Sequence, residues 1–256
     1  MVYSSGMKKL LILVFLAPLF IGAAPPDPNQ NTVEFWGGTG QYRRDAGCGH
    51  YQRVKYHDIA VSYKHKVVET EEYLNDSGKV AIRKVASPVT LILDASMTQG
   101  TATDLDYYYY DEYHSTPAET TIEYIQVGAK VQADYKNFGF GLGGVALGDE
   151  GGFDVGPAVL LRAGPRDKVY LSWEFLYANP FRSGHGIMAT GLGRQTGNLD
   201  LWVGMSGWIE EEHSRPCLTV KYHFGDMLLG VDASYGTSSQ DGIRPYSVSL
   251  GVGYEF

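Results

Sequence analysis

The eleven residues 246–256 constrain this chain more than any other stretch. Tyr246, Val248, Leu250, Val252, Tyr254 and Phe256 share one parity, and Ser247, Ser249, Gly251, Gly253 and Glu255 share the other. Successive side chains of a strand point to opposite faces, so strict alternation predicts a strand with one apolar and one small or polar face. The same pattern recurs along the chain. Ile59, Val61 and Tyr63 alternate with Asp58, Ala60, Ser62 and Lys64. Val89, Leu91, Leu93, Ala95 and Met97 alternate with Thr90, Asp94, Ser96 and Thr98. A soluble sandwich needs one buried face per sheet, whereas here every segment sets its apolar face beside one of Gly, Ser, Asp and Lys.

Taken in order, the segments number about twelve, with ten as the alternative. Short turns are predicted at Lys136-Asn137, residues 164–167, residues 195–198 and Gly225-Asp226. Counting back from Phe256 places all four on one side. The same count puts the connections 45–53, 100–119, 148–153, 179–186, 210–216 and 238–245 on the other, and these include the longest and most polar. Residues 68–88 break the asymmetry. Their turn signal at residues 75–78 suggests two strands running on as a long hairpin.

Apolar-aromatic alternation ending on a terminal Phe resembles the closing strand of a bacterial outer-membrane β-barrel. Tyr254 and Phe256 resemble the signal read by the barrel-assembly machinery of that class. The resemblance implies an all-β, antiparallel, up-and-down transmembrane barrel spanning residues 33–256. It also implies outer-membrane lipid and lipopolysaccharide as surroundings, in a Gram-negative cell envelope, with short turns in the periplasm and longer loops outside. Composition agrees. Lipid-facing and lumen-facing residues average out, so a hydrophobic content of 44% is no objection to a membrane barrel. The 32 glycines sit largely inside strand patterns, and the 19 tyrosines suit interfacial girdles.

The first 24 residues read as a signal peptide: Lys8 and Lys9, an apolar run from Leu10 broken by Pro18, then small residues. Residues 25–32, rich in Pro and Asn, read as a disordered periplasmic leader. The net charge of −8 argues against nucleic acid, which wants a basic face.

Ten charged residues are expected to line the lumen: Asp58, Lys64, Asp94, Lys130, Arg162, Glu174, Arg194, Asp200, Lys221 and Asp232. Charges of both signs on an interior face must be hydrated or paired. They therefore line a narrow water path for small solutes or ions, or cross-link a closed interior. Trp202, Trp208, Leu160 and Leu176 share the inward parity and narrow any passage. In the acidic, Tyr-rich loop, Asp104, Asp106, Tyr108, Tyr110, Asp111 and His114 are candidates for a surface ligand, the basis of an adhesive alternative. A third alternative is a lipid-modifying enzyme or protease of the outer membrane. His114-Ser115 and His213-Ser214 are adjacent pairs, but neither lies in a strand motif that would orient a base. No Cys-x-x-Cys, phosphate loop or zinc-type His spacing points to a metal or cofactor. Cys48 and Cys217, the two cysteines of an exported chain, are expected to form a disulfide at the outer rim.

Overall fold

The computed structural model describes residues 31–47, 50–104, 119–149, 152–177, 186–208, 215–236 and 244–256. Twelve strands follow one another: β1 (Asn31–Gly47), β2 (His50–Leu74), β3 (Val80–Asp104), β4 (Glu119–Asp134), β5 (Phe138–Asp149), β6 (Gly152–Ala163), β7 (Tyr170–Tyr177), β8 (Gly186–Thr196), β9 (Leu199–Trp208), β10 (Arg215–Phe224), β11 (Met227–Tyr235) and β12 (Tyr246–Glu255). Each pairs antiparallel with its neighbours in sequence, and β12 returns to β1, closing the barrel. The closing register runs from Gln41 opposite Tyr246 to Thr32 opposite Glu255. Closure gives every strand a paired neighbour on both sides.

Alternation decides which side faces out. Leu250, Leu229, Leu201, Leu171, Leu142 and Leu93 all stand exposed on the outer surface. This is the inverse of a soluble barrel, and it suits hydrocarbon rather than water. Aromatic pairs stack along the end that carries Asn31 and Phe256, here the terminal end. Tyr254 lies 6.1 Å from Phe256, Tyr222 6.5 Å from Phe224, and Tyr135 4.6 Å from Phe138, ring centre to ring centre. Such a band is what an interface between hydrocarbon and headgroups favours.

The four expected short turns lie at the terminal end. Two of the expected opposite connections are tighter than the alternation implied. Asp45 pairs with Tyr51 and Gly148 with Phe153, so strands extend well into 45–53 and 148–153. The last two residues of the expected leader are in a strand. Asn31 and Thr32 already belong to β1, opposite His65 and Lys64.

Residues 68–88 form the long hairpin. β2 and β3 continue past the wall from Val68 opposite Ala86 to Leu74 opposite Val80, after an irregularity between Lys66 and Val68. At about 3.4 Å per residue this projects roughly 20 Å beyond the rim. Asn75 caps its turn, its side-chain oxygen accepting from the amides of Ser77 and Lys79 at 3.0 Å each. Gly78 takes the positive φ of 72° that the turn requires. Arg83 pairs with Glu71 at 2.8 Å, while Leu74, Val80 and Ile82 point into solvent.

Candidate functional site

The inward parity gathers the charged residues in the lumen, where three small networks form. In the first, Glu34 on β1 accepts from Lys64 on β2 and from Lys221 on β10, the latter at 2.8 Å. Its side chain is only 4% exposed, so two ammonium groups compensate one buried carboxylate. Trp36 donates its indole N–H to Glu34 at 3.2 Å, and its ring lies 5.2 Å from the Lys221 ammonium. Trp36 lies flat on the wall because Gly230 and Gly251 leave it room; a Cβ at either would collide with the indole.

The second network has the opposite balance. Lys130 on β4 reaches Asp94 on β3 at 3.4 Å and Glu174 on β7 at 3.2 Å. In the third, Asp134 holds Arg162 at 3.2 Å and Arg166 at 2.5 Å. The Arg162 guanidinium also donates to the carbonyls of Tyr135 at 2.6 Å, Phe138 at 3.0 Å and Gly164. It therefore ties the β4–β5 and β6–β7 turns together and faces the Tyr170 ring.

The remaining expected lumen residues divide. Asp58 lies across Gly38, where a Cβ would meet its carboxylate and the Ser249 hydroxyl. Asp232 accepts from Thr219 at 2.6 Å, and Asp200 stands opposite Lys221 in the β9–β10 ladder. Arg194 is a correction. It pairs with Leu201, shares the parity of Met188 and Leu192, and is exposed on the outer surface near the terminal rim. There a long cationic side chain lays its stem on apolar surface and keeps its head wet.

Sequence reasoning missed the hub Glu34 and its neighbour Trp36, as well as Asp134, Arg166 and Tyr170. Asp134 was findable, because it continues the parity of Lys130 and Gln132. Apart from Leu176, it also missed the apolar filling of the lumen away from the terminal end. Tyr42, Val54, Ala102 and Ile122 cluster on the inner face of β1–β4 with Tyr56 against them. Val145 and Leu147 cluster beside them with Tyr124 and Leu176.

A cavity of about 470 Å³ runs beside that filling. Its lining begins at Arg162, Arg166, Tyr170 and Asp200, near the terminal end of their elements, and reaches Ser206, Cys217, Ser234 and Ser247 near the other. A second, of about 590 Å³, is bordered by Glu34, Lys64, Asp94 and Lys130. Glu174 and Lys221 border both. Leu160 and Trp202 do narrow the first, with the Trp202 indole donating to Ser172 at 2.6 Å.

The expected disulfide finds no support at its described end. Cys217 is a buried free thiol, facing the lumen from β10 and hydrogen-bonded to Ser206 at 2.8 Å. Cys48 lies outside the described residues, as do Asp106, Tyr108, Tyr110, Asp111, His114 and both His-Ser pairs. Asp104, at the end of β3, accepts from Gln52 at 2.9 Å. Among the described residues no group of three or more His, Cys, Asp or Glu is arranged to hold a metal ion.

No family model matches the chain, and no curated protein matches it. Solved structures do. The translocator domain of autotransporter NalP from Neisseria meningitidis is similar over 98% of this chain and 96% of its own, at 13% identity and a TM-score of 0.50. The transport unit of autotransporter AIDA-I from Escherichia coli is similar over 97% and 98%, at 9% identity and a TM-score of 0.43. The NanC porin is similar over 88% and 100%, at 12% identity and a TM-score of 0.46. At such identities the likeness is one of fold: the chain is built as a closed twelve-strand barrel of the bacterial outer-membrane type.

Proposed function

We propose that the chain is a passive outer-membrane channel for small polar solutes, with its terminal end in the periplasm. The observation that carries this reading is the cavity along β7–β12, whose polar lining extends from one end of those strands to the other. Apolar side chains fill the lumen against β1–β5 away from the terminal end, so the passage is narrow and off-centre there. The wall charges are largely engaged with each other, which favours hydrated solutes moving down a gradient over tight capture. The similar structures, at 13% identity and below, speak for the barrel and not for its cargo. Lipid and lipopolysaccharide would meet the apolar belt. The exposed, stacked Tyr254 and Phe256 would present themselves to the assembly machinery.

Planar-bilayer recording of the refolded protein tests the channel. Discrete conductance steps are expected. Silence from protein that is folded, shown by heat-modifiable migration in gels, would overturn the reading. It would favour a closed barrel acting through its outer loops, a second reading to which the apolar clusters lend weight.

A further inference from the structure

The lumenal charges are not scattered pairs. Lys221, Glu34, Lys64, Asp94, Lys130 and Glu174 alternate in sign around the inner wall from β10 through β1 to β7. Lys221 and Lys64 both meet Glu34, Asp94 and Glu174 both meet Lys130, and Asp94 stands one diagonal step from Lys64 in the β2–β3 ladder. Each of the four middle members has an opposite charge on both sides. Among the described residues the two end members have one ion-pair partner each, Glu34 for Lys221 and Lys130 for Glu174. Among the described residues Lys221 makes no ion pair with Asp200, its ladder neighbour. An ammonium has three N–H donors and a carboxylate about four acceptor sites, so both ends retain capacity.

We propose that these two ends form a subsite for a small zwitterion, a free amino acid or short peptide, whose carboxylate meets Lys221 and whose ammonium meets Glu174. This deepens the channel reading and rests on it. Glu174 and Lys221 are the charged residues that border both cavities, so a solute passing between the cavities passes them. The break in the charge chain lies at β8 and β9, where Ala189 is small and the Trp202 ring lies across Gly191. Trp36, under Lys221 and bonded to Glu34, limits where the ammonium can go. A neutral sugar completes neither end, and a simple ion completes one. A molecule with both charges completes the alternation at both ends at once, and the mixed lining then offers it the same compensation that the wall charges give each other.

The test is equilibrium binding to the full-length barrel folded in detergent, by calorimetry, beside vesicle swelling with the same solutes. The probes are glycine and diglycine, with N-acetylglycine lacking the positive charge and glycinamide lacking the negative. Wild-type protein should bind glycine or diglycine about tenfold more tightly than either capped analogue, the value of one charge-assisted hydrogen bond. Which of the two binds better tells amino acid from peptide. In Glu174→Gln the preference over N-acetylglycine should vanish, and in Lys221→Gln the preference over glycinamide. Arg194→Gln, on the outer face, should keep both preferences. Equal binding of free and capped forms by wild-type protein would overturn the subsite, without recourse to any variant. Unchanged preferences in both lumen variants would overturn it too. Swelling with every solute and no preference removes the subsite but leaves the channel. Selective binding without swelling removes the channel but leaves the subsite.

Discussion

Asn31 and Phe256 close the barrel on each other: the Asn31 amide donates to the Phe256 carbonyl at 2.9 Å, and the Phe256 amide donates to the Asn31 carbonyl at 2.9 Å. Beyond this pair the seam continues through ten opposed positions to Gln41 and Tyr246. The Asn31 side chain braces it from β2, accepting from Tyr63 at 2.8 Å and lying 2.8 Å from His65. The seam is thus fastened at the terminal end.

Removing Phe256 should therefore lower the folded fraction. Leu250→Arg should do the same, because Leu250 is 64% exposed at the centre of β12 on the outer face. A lipid-facing Arg near the midplane costs about 2–4 kcal/mol. Heat-modifiable migration after folding into vesicles reads both. Wild-type yields for both variants would count against a lipid-facing wall.

Arg162 is expected to matter for stability more than for conduction. Its guanidinium, on a side chain only 4% exposed, is consumed by Asp134 and three carbonyls. Arg162→Met orphans those acceptors and should cost about 3–5 kcal/mol in urea unfolding from lipid. Arg162→Lys should recover only part of that, since an ammonium lacks the planar fork that spans the two turns.

The first two networks should shift ion preference in opposite directions. Glu34→Gln leaves Lys64 and Lys221 without their shared acid and should turn the channel toward anions. Lys130→Gln leaves Asp94 and Glu174 together and should turn it toward cations. Reversal potentials under a salt gradient report the sign. Shifts in the same direction would mean that the current bypasses these residues.

Gly251→Val should destabilise by about 1–3 kcal/mol through overpacking, because a Cβ there would stand 2.5 Å from the Trp36 ring. Trp36→Ala in the same chain should remove most of that clash. The double variant is then less destabilised than the two single losses combined, in urea unfolding.

Much of this was legible in the sequence, because a one-sided strand leaves a period that needs no tertiary knowledge. Strand count, hairpin and outward face all follow from positions such as Leu229, Leu201 and Leu93. The lumen was harder. In β8, Gly191 and Gly193 leave the inner parity without a polar mark, so Arg194 was drawn inward although Met188 and Leu192 on its own parity pointed out. Glu34 sits in a first strand whose alternation is blurred by Trp36 on the polar side, and its partners lie on β2 and β10. No local pattern announces a hub of that kind. The cysteines were equally opaque: their count says that two thiols exist, but only the register shows that Cys217 turns into the lumen toward Ser206.

The β2–β3 hairpin also sets an order of events. A turn of a few residues brings Leu74 beside Val80, so its first rungs form at little cost in chain entropy. The seam must gather Asn31 and Phe256 from opposite ends of the described chain. Local contacts form fast and distant ones slowly, so the hairpin is the natural first structure and the seam the last. Its outermost rungs lie beyond the wall and ask nothing of the membrane. The protein can thus hold one settled register in water while the rest of its belt still waits for lipid.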